Sequence, residues 1–268
     1  MLQRIKPVLH RSLQYLFPDV CVLCGKLPDA LTDTGFFRES LHLCRRCVAN
    51  LPLRLPNQFA LPQEPVDSSV KKSSASSPER ESLRIYTPFF YEGDIVQGIR
   101  RLKFHEGLYV ASTLGFFMSR VAQQMCEEVD VLVPMPLGAG RAAERGYNQA
   151  ELLAQGMTRF WDKPMVTDLL VRTRNTGRQS SMESVASRSE NVRGAFAVSS
   201  EWDVFGMSVL LVDDVVTTGA TIEAAAAALL AAGAIRVQGI AAASGRIGNL
   251  VGIIQLPDEP EPHVFEPS

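Results

Sequence analysis

One stretch of the sequence, residues 209–232, restricts the possible fold more than any other. Four apolar residues come first, then Asp213 and Asp214, then a loop rich in hydroxyl groups at 217–221, and then an apolar run at 224–232. This order of apolar strand, polar loop and apolar helix is typical of open α/β sheets, in which ligands bind at the carboxyl ends of the strands. The stretch therefore predicts a sheet with a binding site where this strand ends.

The loop after the two aspartates has the composition of a phosphate site. Backbone N–H groups at a helix N-terminus attract anions, threonine hydroxyls add donors, and glycine lets the backbone approach closely. The predicted phosphate-binding residues are Thr217, Thr218, Gly219, Ala220 and Thr221. Because carboxylates repel phosphate, Asp213 and Asp214 are expected to bind a neutral diol or a divalent cation beside it, as a sugar phosphate would require. The alternative is an acidic turn followed by a threonine helix cap.

Strand and helix patterns alternate along the chain after residue 82. Strands are predicted at 83–91, 129–133, 166–170, 209–212 and 237–243, and helices around 95–102, 114–121, 149–160 and 221–232. Apolar strands separated by helices indicate a parallel sheet that is covered on both faces. The expected fold class is therefore α/β.

Four of the five cysteines form two C-x-x-C pairs within the first fifty residues. The pairs are Cys21 with Cys24 and Cys44 with Cys47, and nineteen residues separate them. Two such turns can direct four thiolates toward one ion in the tetrahedral set that zinc prefers, and four protein ligands leave no open position for a substrate. The pattern predicts a structural zinc site; the alternatives are buried thiols or a redox pair.

Composition divides the chain into four segments. Residues 1–56 are predicted to form an N-terminal helix and the cysteine module, 57–82 a flexible linker rich in proline and serine, 83–250 the α/β domain, and 251–268 a disordered acidic tail. The helix is expected at residues 1–17, where apolar residues recur every three or four positions opposite basic ones. It either packs onto the cysteine module or binds a membrane surface.

Composition and charge also exclude several classes of protein. Hydrophobic residues make up 46% and charged residues 21% of the chain, as in globular proteins. With 27 basic and 29 acidic residues, the chain as a whole does not attract nucleic acid or anionic membrane. The longest apolar run is much shorter than the roughly 20 residues of a membrane span, and no secretion signal is recognisable at the start of the sequence. The expected location is the cytoplasm.

Two further segments could bring positive charge to the predicted phosphate site. Pro134 and Pro136 stiffen the exit of a predicted strand, and Arg141 and Arg145 follow with guanidinium groups suited to bidentate phosphate contacts. Asn148 is predicted to cap the helix that comes next. Residues 172–193 include five arginines and are too polar to belong to a core. For each segment the alternative is a solvated surface loop.

The stretch at 209–221 resembles the phosphoribosyl pyrophosphate (PRPP) signature of type I phosphoribosyltransferases, an apolar run followed by Asp-Asp and then Thr-Thr-Gly. The wider sequence resembles the ComF family in particular. The matching pieces are Tyr91-Glu92-Gly93, Leu102-Lys103-Phe104, Val133-Pro134-Met135-Pro136-Leu137, Arg141, Glu144-Arg145-Gly146-Tyr147-Asn148-Gln149, Arg188 and Asn191-Val192-Arg193-Gly194-Ala195-Phe196. The resemblance implies a phosphoribosyltransferase-like parallel sheet flanked by helices and preceded by a small zinc-binding module with four cysteine ligands.

The resemblance also implies a role for each part of the site. Asp213 and Asp214 would hold the ribose hydroxyls, residues 217–221 the 5′-phosphate, and the loop after Val133 would face pyrophosphate. In position, residues 172–193 correspond to the mobile loop that closes over the active site in this fold. The remaining candidates for phosphate contact or catalysis are Lys103, Arg141, Arg145, Arg188 and Arg193. For Lys103, a lysine that only covers apolar surface is the alternative.

The leading interpretation is a ComF-like protein that binds PRPP or a related ribose phosphate and is linked to natural competence, DNA uptake or nucleotide metabolism. If it is catalytic, it transfers the phosphoribosyl group to a nucleophile with loss of pyrophosphate, and Mg²⁺ and arginines stabilise the leaving group. The alternative is a non-catalytic PRPP-domain protein that binds single-stranded DNA or competence proteins, with Arg45 and Arg46 among its phosphate contacts. The sequence identifies neither the acceptor nor the oligomeric state.

One departure from the ComF pattern affects the metal prediction. Many ComF relatives carry further C-x-x-C elements after the first two pairs, whereas residues 51–82 contain none. A single zinc ion is therefore expected.

Overall fold

A computed structural model describes residues 20–27, 42–54, 60–61, 83–102, 107–138, 146–173 and 194–245. The helices in these ranges are α1 (Arg45–Ala49), α2 (Gly93–Leu102), α3 (Gly107–Met125), α4 (Gln149–Thr158) and α5 (Ala220–Ala231). The strands are β1 (Ala60–Leu61), β2 (Arg84–Tyr86), β3 (Phe89–Phe90), β4 (Val131–Pro134), β5 (Leu170–Arg172), β6 (Phe196–Val198), β7 (Ser208–Val216) and β8 (Arg236–Ser244). The predictions for residues 1–17 and 251–268, and for most of the linker, lie outside the described residues.

The central sheet is parallel except at one edge. Its strands lie in the order β1-β2-β8-β7-β4, and β3 pairs with the far end of β8. β2, β3 and β7 each run parallel to β8, β4 runs parallel to β7, and the short β1 pairs antiparallel to β2. The carboxyl ends of β7 and β8 therefore lie side by side at one edge of the sheet.

Both faces of the sheet are covered, as the near-continuous apolar strands predicted. Leu210 and Val212 of β7 belong to a core shared with α3 and α4, whereas Val209 and Leu211 belong to a second core shared with α5. Alternate residues of a strand point to opposite faces, so one apolar strand fills two cores. The predicted α/β class is confirmed.

Three of the five predicted strands differ from the structure by more than one or two terminal residues. The predicted strand at 83–91 is divided into β2 and β3, with Thr87 and Pro88 between them. The chain makes one bridge to β4 at Met165, one residue before the predicted strand at 166–170. It then leaves the sheet, and β5 pairs with β6 in a separate sheet. β7 extends to Val216 because its pairing with β8 continues past the aspartates. Asp213 and Asp214 thus lie inside a strand and not after it.

The cysteine-bearing segments pack into the same core as the sheet. Cys21, Leu23 and Leu43 are fully buried and share a core with Ile95 and Ile99 of α2. At Gly98 a Cβ atom would lie 2.5 Å from the terminal methyl carbon of Leu23, so a larger residue there would require the Leu23 side chain to move. The predicted boundaries between the four segments stay a prediction.

Candidate functional site

The end of β7 and the start of α5 form the predicted phosphate site. The strand ends at Val216, and α5 begins at Ala220 with Gly219 as its N-terminal cap residue. Gly219 has φ of 86°, a left-handed conformation that glycine adopts without a Cβ clash. The first N–H groups of a helix have no acceptor within it, so this end of α5 carries partial positive charge. We call residues 217–221 the Thr-Gly loop.

The Thr-Gly loop and the strand before it surround an open concavity. Counted out to its mouth, this concavity has a volume of about 230 Å³. Its lining residues are Asp213, Val215, Val216, Thr217, Thr218, Gly219, Thr221 and Ile222. The structure thus brings one predicted carboxylate together with four of the five predicted loop residues. Among the described residues, Asp214 and Ala220 do not line this concavity.

Backbone hydrogen bonds orient both carboxylates. Oδ1 of Asp213 accepts the N–H of Asp214 at 2.8 Å, and Oδ1 of Asp214 accepts the N–H of Val215 at 2.7 Å. In the loop, Oγ1 of Thr218 accepts the N–H of Ala220 at 3.4 Å. Each carboxylate is therefore held by the residue that follows it, which presets its direction before any ligand arrives.

Glu223 in the first turn of α5 modifies the electrostatics of this end. It is half-buried, and this burial raises the pKa of its carboxyl group. The helix dipole stabilises a carboxylate in the first turn, but the negative charge of that carboxylate opposes the binding of a phosphate nearby. Because its pKa is raised, Glu223 becomes protonated as the pH becomes acidic, and the protonated group no longer repels phosphate.

The loop that follows β4 is anchored where it meets α4. The side chain of Asn148 accepts the N–H of Ala150 at 3.1 Å and donates to the carbonyl of Met135 at 3.0 Å. The predicted helix cap at Asn148 is confirmed. The hydroxyl of Tyr147 donates to the carbonyl of Leu102 at 3.0 Å, which joins this loop to the end of α2.

The predicted cationic residues of the site lie outside the described residues. They are Lys103, Arg141, Arg145, Arg188 and Arg193. Their predicted roles therefore stay predictions. The described residues on either side show only that the end of α2 and the start of α4 are in contact through Tyr147 and Leu102.

The four paired cysteines come together as the sequence predicts. Their sulfur atoms all lie within 4.8 Å of one another, and the sulfurs of Cys24 and Cys44 are 3.9 Å apart. Zinc–sulfur bonds of about 2.3 Å place the sulfurs of a tetrahedral site about 3.8 Å apart, so one ion fits between these four with little movement. We call Cys21, Cys24, Cys44 and Cys47 the cysteine cluster, and it could hold a metal.

A hydrogen bond between two members of the cysteine cluster favours the thiolate of Cys21 and disfavours that of Cys47. The hydrogen bond from Cys47 is the main cause that lowers the pKa of Cys21 to about 4. The same hydrogen bond is the main cause that raises the pKa of Cys47. All five cysteines lie among the described residues and none forms a disulfide. Because metal ions bind thiolates, an ion that entered the cysteine cluster would displace the protons of these thiols.

One residue near the cysteine cluster, Asp94, was missed by the sequence analysis. Asp94 of α2 accepts a hydrogen bond from the sulfur of Cys47 at 3.3 Å, and Arg46 lies 3.5 Å from the same carboxylate oxygen. Asp94 directly follows the Tyr91-Glu92-Gly93 motif, which is the only signal that could have indicated it. A contact over 47 residues of sequence is invisible to spacing arguments.

No helix within the described ranges is long and apolar enough to cross a membrane.

Comparison with known proteins agrees with the fold and with the sequence motifs. A family profile for the phosphoribosyl transferase domain matches residues 118–250. The chain is 32% identical over 235 residues to the DNA utilization protein YhgH of Escherichia coli K12, an alignment that covers 82% of this chain and 95% of that protein. It is 33% identical over 130 residues to competence protein F of Haemophilus influenzae, covering 46% of this chain and 56% of that protein.

A further relative and one solved structure complete the comparison. The competence protein ComFC of Bacillus subtilis is 32% identical over 155 residues, which cover 58% of this chain and 60% of that protein. The glutamine PRPP amidotransferase of B. subtilis, solved with ADP and GMP, aligns with 50% of this chain and 27% of its own length, at 24% identity and a TM-score of 0.34.

Proposed function

Because this chain belongs to the ComF family of phosphoribosyltransferase-like proteins linked to competence, we propose that it binds PRPP or a related ribose phosphate at the end of β7. One observation carries the proposal. Asp213, whose carboxylate can accept hydrogen bonds from hydroxyl groups, lines the same open concavity as the Thr-Gly loop at the N-terminus of α5. A ribose with a 5′-phosphate carries both of the groups that such a site recognises.

The two halves of the site would bind different parts of the ligand. The 5′-phosphate would accept hydrogen bonds from the backbone and the hydroxyls of the Thr-Gly loop, where the helix dipole favours negative charge. The ribose hydroxyls would donate to Asp213, which lines the concavity, and to Asp214 beside it. Because both carboxylates are already oriented by backbone N–H groups, binding would cost little reorganisation.

Turnover, if the protein is an enzyme, would be a phosphoribosyl transfer. The bond between C1 of the ribose and the pyrophosphate oxygen breaks, a bond from C1 to the acceptor forms, and pyrophosphate leaves with the bonding electrons. The residues proposed to stabilise that charge are Arg141, Arg145, Arg188, Arg193 and Lys103. Mg²⁺, which prefers oxygen ligands such as carboxylates and phosphates, would neutralise part of the pyrophosphate charge when it is bound with PRPP.

The metal of the cysteine cluster is proposed to be zinc in a structural role. Four sulfur ligands at tetrahedral spacing suit zinc, and they leave no ligand position for substrate. Reduced thiols with this spacing persist in a reducing compartment, which supports the cytoplasm as the location of the protein.

A second candidate function is binding of single-stranded DNA or of competence proteins. The observation that favours it is the naming of three relatives for DNA utilization or competence. Arg45 and Arg46 lie exposed on α1 and could contact phosphates, although Arg46 also pairs with Asp94. Loss of DNA affinity with rising salt would support such contacts, and a salt-independent affinity would contradict them.

The first proposal is tested by calorimetric titration of the full chain with PRPP and Mg²⁺. Saturable binding is expected for the unaltered protein and for the matched control Asp162→Asn, which changes an exposed aspartate that does not line the concavity. A companion assay measures pyrophosphate release in the presence of nucleobases. Absence of PRPP binding to a folded protein would overturn the proposal.

A further inference from the structure

A buried arginine lies at the carboxyl end of β8, next to the candidate ribose phosphate site. Only 3% of Arg54 is exposed. Its Nη2 donates to Oγ of Ser244 and, at 2.9 Å, to the carbonyl of Gly245, and its guanidinium lies 4.2 Å from the centre of the Phe90 ring. Burial of a guanidinium is costly unless hydrogen bonds compensate it, and these two acceptors and the Phe90 ring supply such compensation.

The residues around Arg54 are equally buried. Ser244 and Thr87 have no exposed surface, and their hydroxyl oxygens are 3.3 Å apart. The backbone carbonyl of Ser244 accepts the N–H of Tyr91 at 2.7 Å. We call Arg54, Thr87, Phe90 and Ser244 the Arg54 cluster. It closes the end of β8 with a network that contains both charge and hydrogen bonds.

The chain that carries Arg54 comes directly from the cysteine module. Two hydrogen bonds of 2.9 Å hold residues 51–54 against the segment around β3, one from the N–H of Arg54 to the carbonyl of Pro88 and one from the N–H of Phe90 to the carbonyl of Pro52. Together they form an antiparallel bridge between Leu53 and Phe89. Cys47, in α1, lies only four residues before Leu51. The exit of the cysteine module is therefore fastened to the edge of the sheet.

Ser244 also connects the Arg54 cluster to the candidate site. In the pairing of β7 with β8, Ser244 lies opposite Val216, the last residue of β7. Val216 lines the concavity and immediately precedes the Thr-Gly loop. Any shift of Ser244 would thus be passed to the base of that loop through one pair of neighbouring strand residues.

We propose that Arg54 is a positioning residue that holds the end of β8, and through Val216 the Thr-Gly loop, in the geometry that binds ribose phosphate. The importance of this geometry for PRPP rests on the proposed function. The proposal explains why a charged side chain occupies a site that an apolar one could fill. It also gives the cysteine module a role at the ligand site, because the module supplies the segment that carries Arg54.

The test combines ligand binding with amide hydrogen exchange in the full chain. Arg54→Met removes the charge and its hydrogen bonds while it keeps a long side chain, Arg54→Lys keeps a cation over Phe90, and Arg100→Met, at an exposed position of α2, is the matched control. We expect Arg54→Met to weaken PRPP binding by about three- to tenfold. We also expect Arg54→Met to increase amide exchange at residues 215–222 more than it increases exchange in α4. The increase should be smaller in Arg54→Lys and absent in Arg100→Met.

Several outcomes would overturn the proposal. Unchanged PRPP affinity and unchanged exchange at residues 215–222 in Arg54→Met would do so, and so would faster exchange spread evenly over the whole domain, which indicates a role in stability alone. If Arg54→Met does not fold, Ser244→Ala removes a single acceptor of Arg54, and the same two measurements decide. If the unaltered protein binds no PRPP, the proposed function fails, while the exchange data still decide whether Arg54 positions the loop.

Discussion

The two candidate binding regions of this molecule are built in opposite ways. The Thr-Gly loop and Asp213 form an open concavity from consecutive residues of one strand, one loop and one helix. The cysteine cluster is largely buried, and its four sulfurs come from two segments and face one another. An open site can exchange its ligand, whereas a closed set of four sulfurs leaves no position for substrate. The difference is the reason why we propose ligand binding for the first region and a stabilising role for the second.

The largest effect is expected from the loss of a ligand in the cysteine cluster. Cys21→Ser should remove the metal and with it much of the roughly 10–16 kcal/mol of apparent binding free energy that structural zinc supplies. Thermal unfolding and metal analysis of the purified protein measure this. Cys126→Ala is the control, since the pKa of this thiol is raised to about 12 by burial and the residue lies outside the cluster. A Cys21→Ser protein with full metal content and an unchanged unfolding temperature would contradict a stabilising metal in the cysteine cluster.

The second effect concerns the carboxylates of the open region. Asp213→Asn is expected to weaken PRPP binding by about ten- to a hundredfold, because hydrogen bonds to a charged group contribute about 1.5–3 kcal/mol. Asp214→Asn should have a smaller effect, because Asp213 but not Asp214 is among the residues that line the concavity. Calorimetric titration of both variants with PRPP measures the difference in affinity, and thermal unfolding checks that both are equally stable. Equal losses would show that both carboxylates contact the ligand equally.

The third effect separates backbone strain from ligand binding. Gly219→Ala and Gly206→Ala each place a Cβ on a residue with positive φ, 86° and 76°, so each should cost about 1–2 kcal/mol of stability. Gly206 precedes β7 and lies at the opposite end of the strand from the Thr-Gly loop. Only Gly219→Ala should therefore lose PRPP affinity as well. Thermal unfolding combined with titration tests this, and loss of affinity in both variants would contradict the local role of Gly219.

The smallest effect is a pH dependence in α5. Burial raises the pKa of Glu223, so its charged form is less favourable in the folded than in the unfolded protein. The free energy of unfolding should therefore fall as pH rises past the unfolded pKa, and the penalty is complete above the folded pKa. Glu223→Gln should unfold at a slightly higher temperature than the unaltered protein at pH 7, and this advantage should vanish well below about pH 4. Glu201→Gln, at an exposed position, is the control.

Local sequence patterns predicted much of the fold and of both regions. The fold class, the helix that follows the Thr-Gly loop, the cap at Asn148 and the close approach of four cysteines all agree with the structure. Each depends on residues close together in sequence or on metal-ligand spacing. The end of β7 was predicted four residues too early, because two aspartates resemble a strand end while pairing with β8 in fact continues through them.

What the sequence by itself determined was the chemistry available at each place: thiolates in pairs, carboxylates before a hydroxyl loop, and a helix to follow. Tertiary structure alone decided which of these groups meet. It placed Asp213 but not Asp214 in the concavity, brought Asp94 to Cys47, and buried Arg54 against Ser244 across 190 residues of sequence. The physical reason is that periodicity and capping act over a few residues, whereas contacts between distant segments depend on the packing of the whole sheet and its helices.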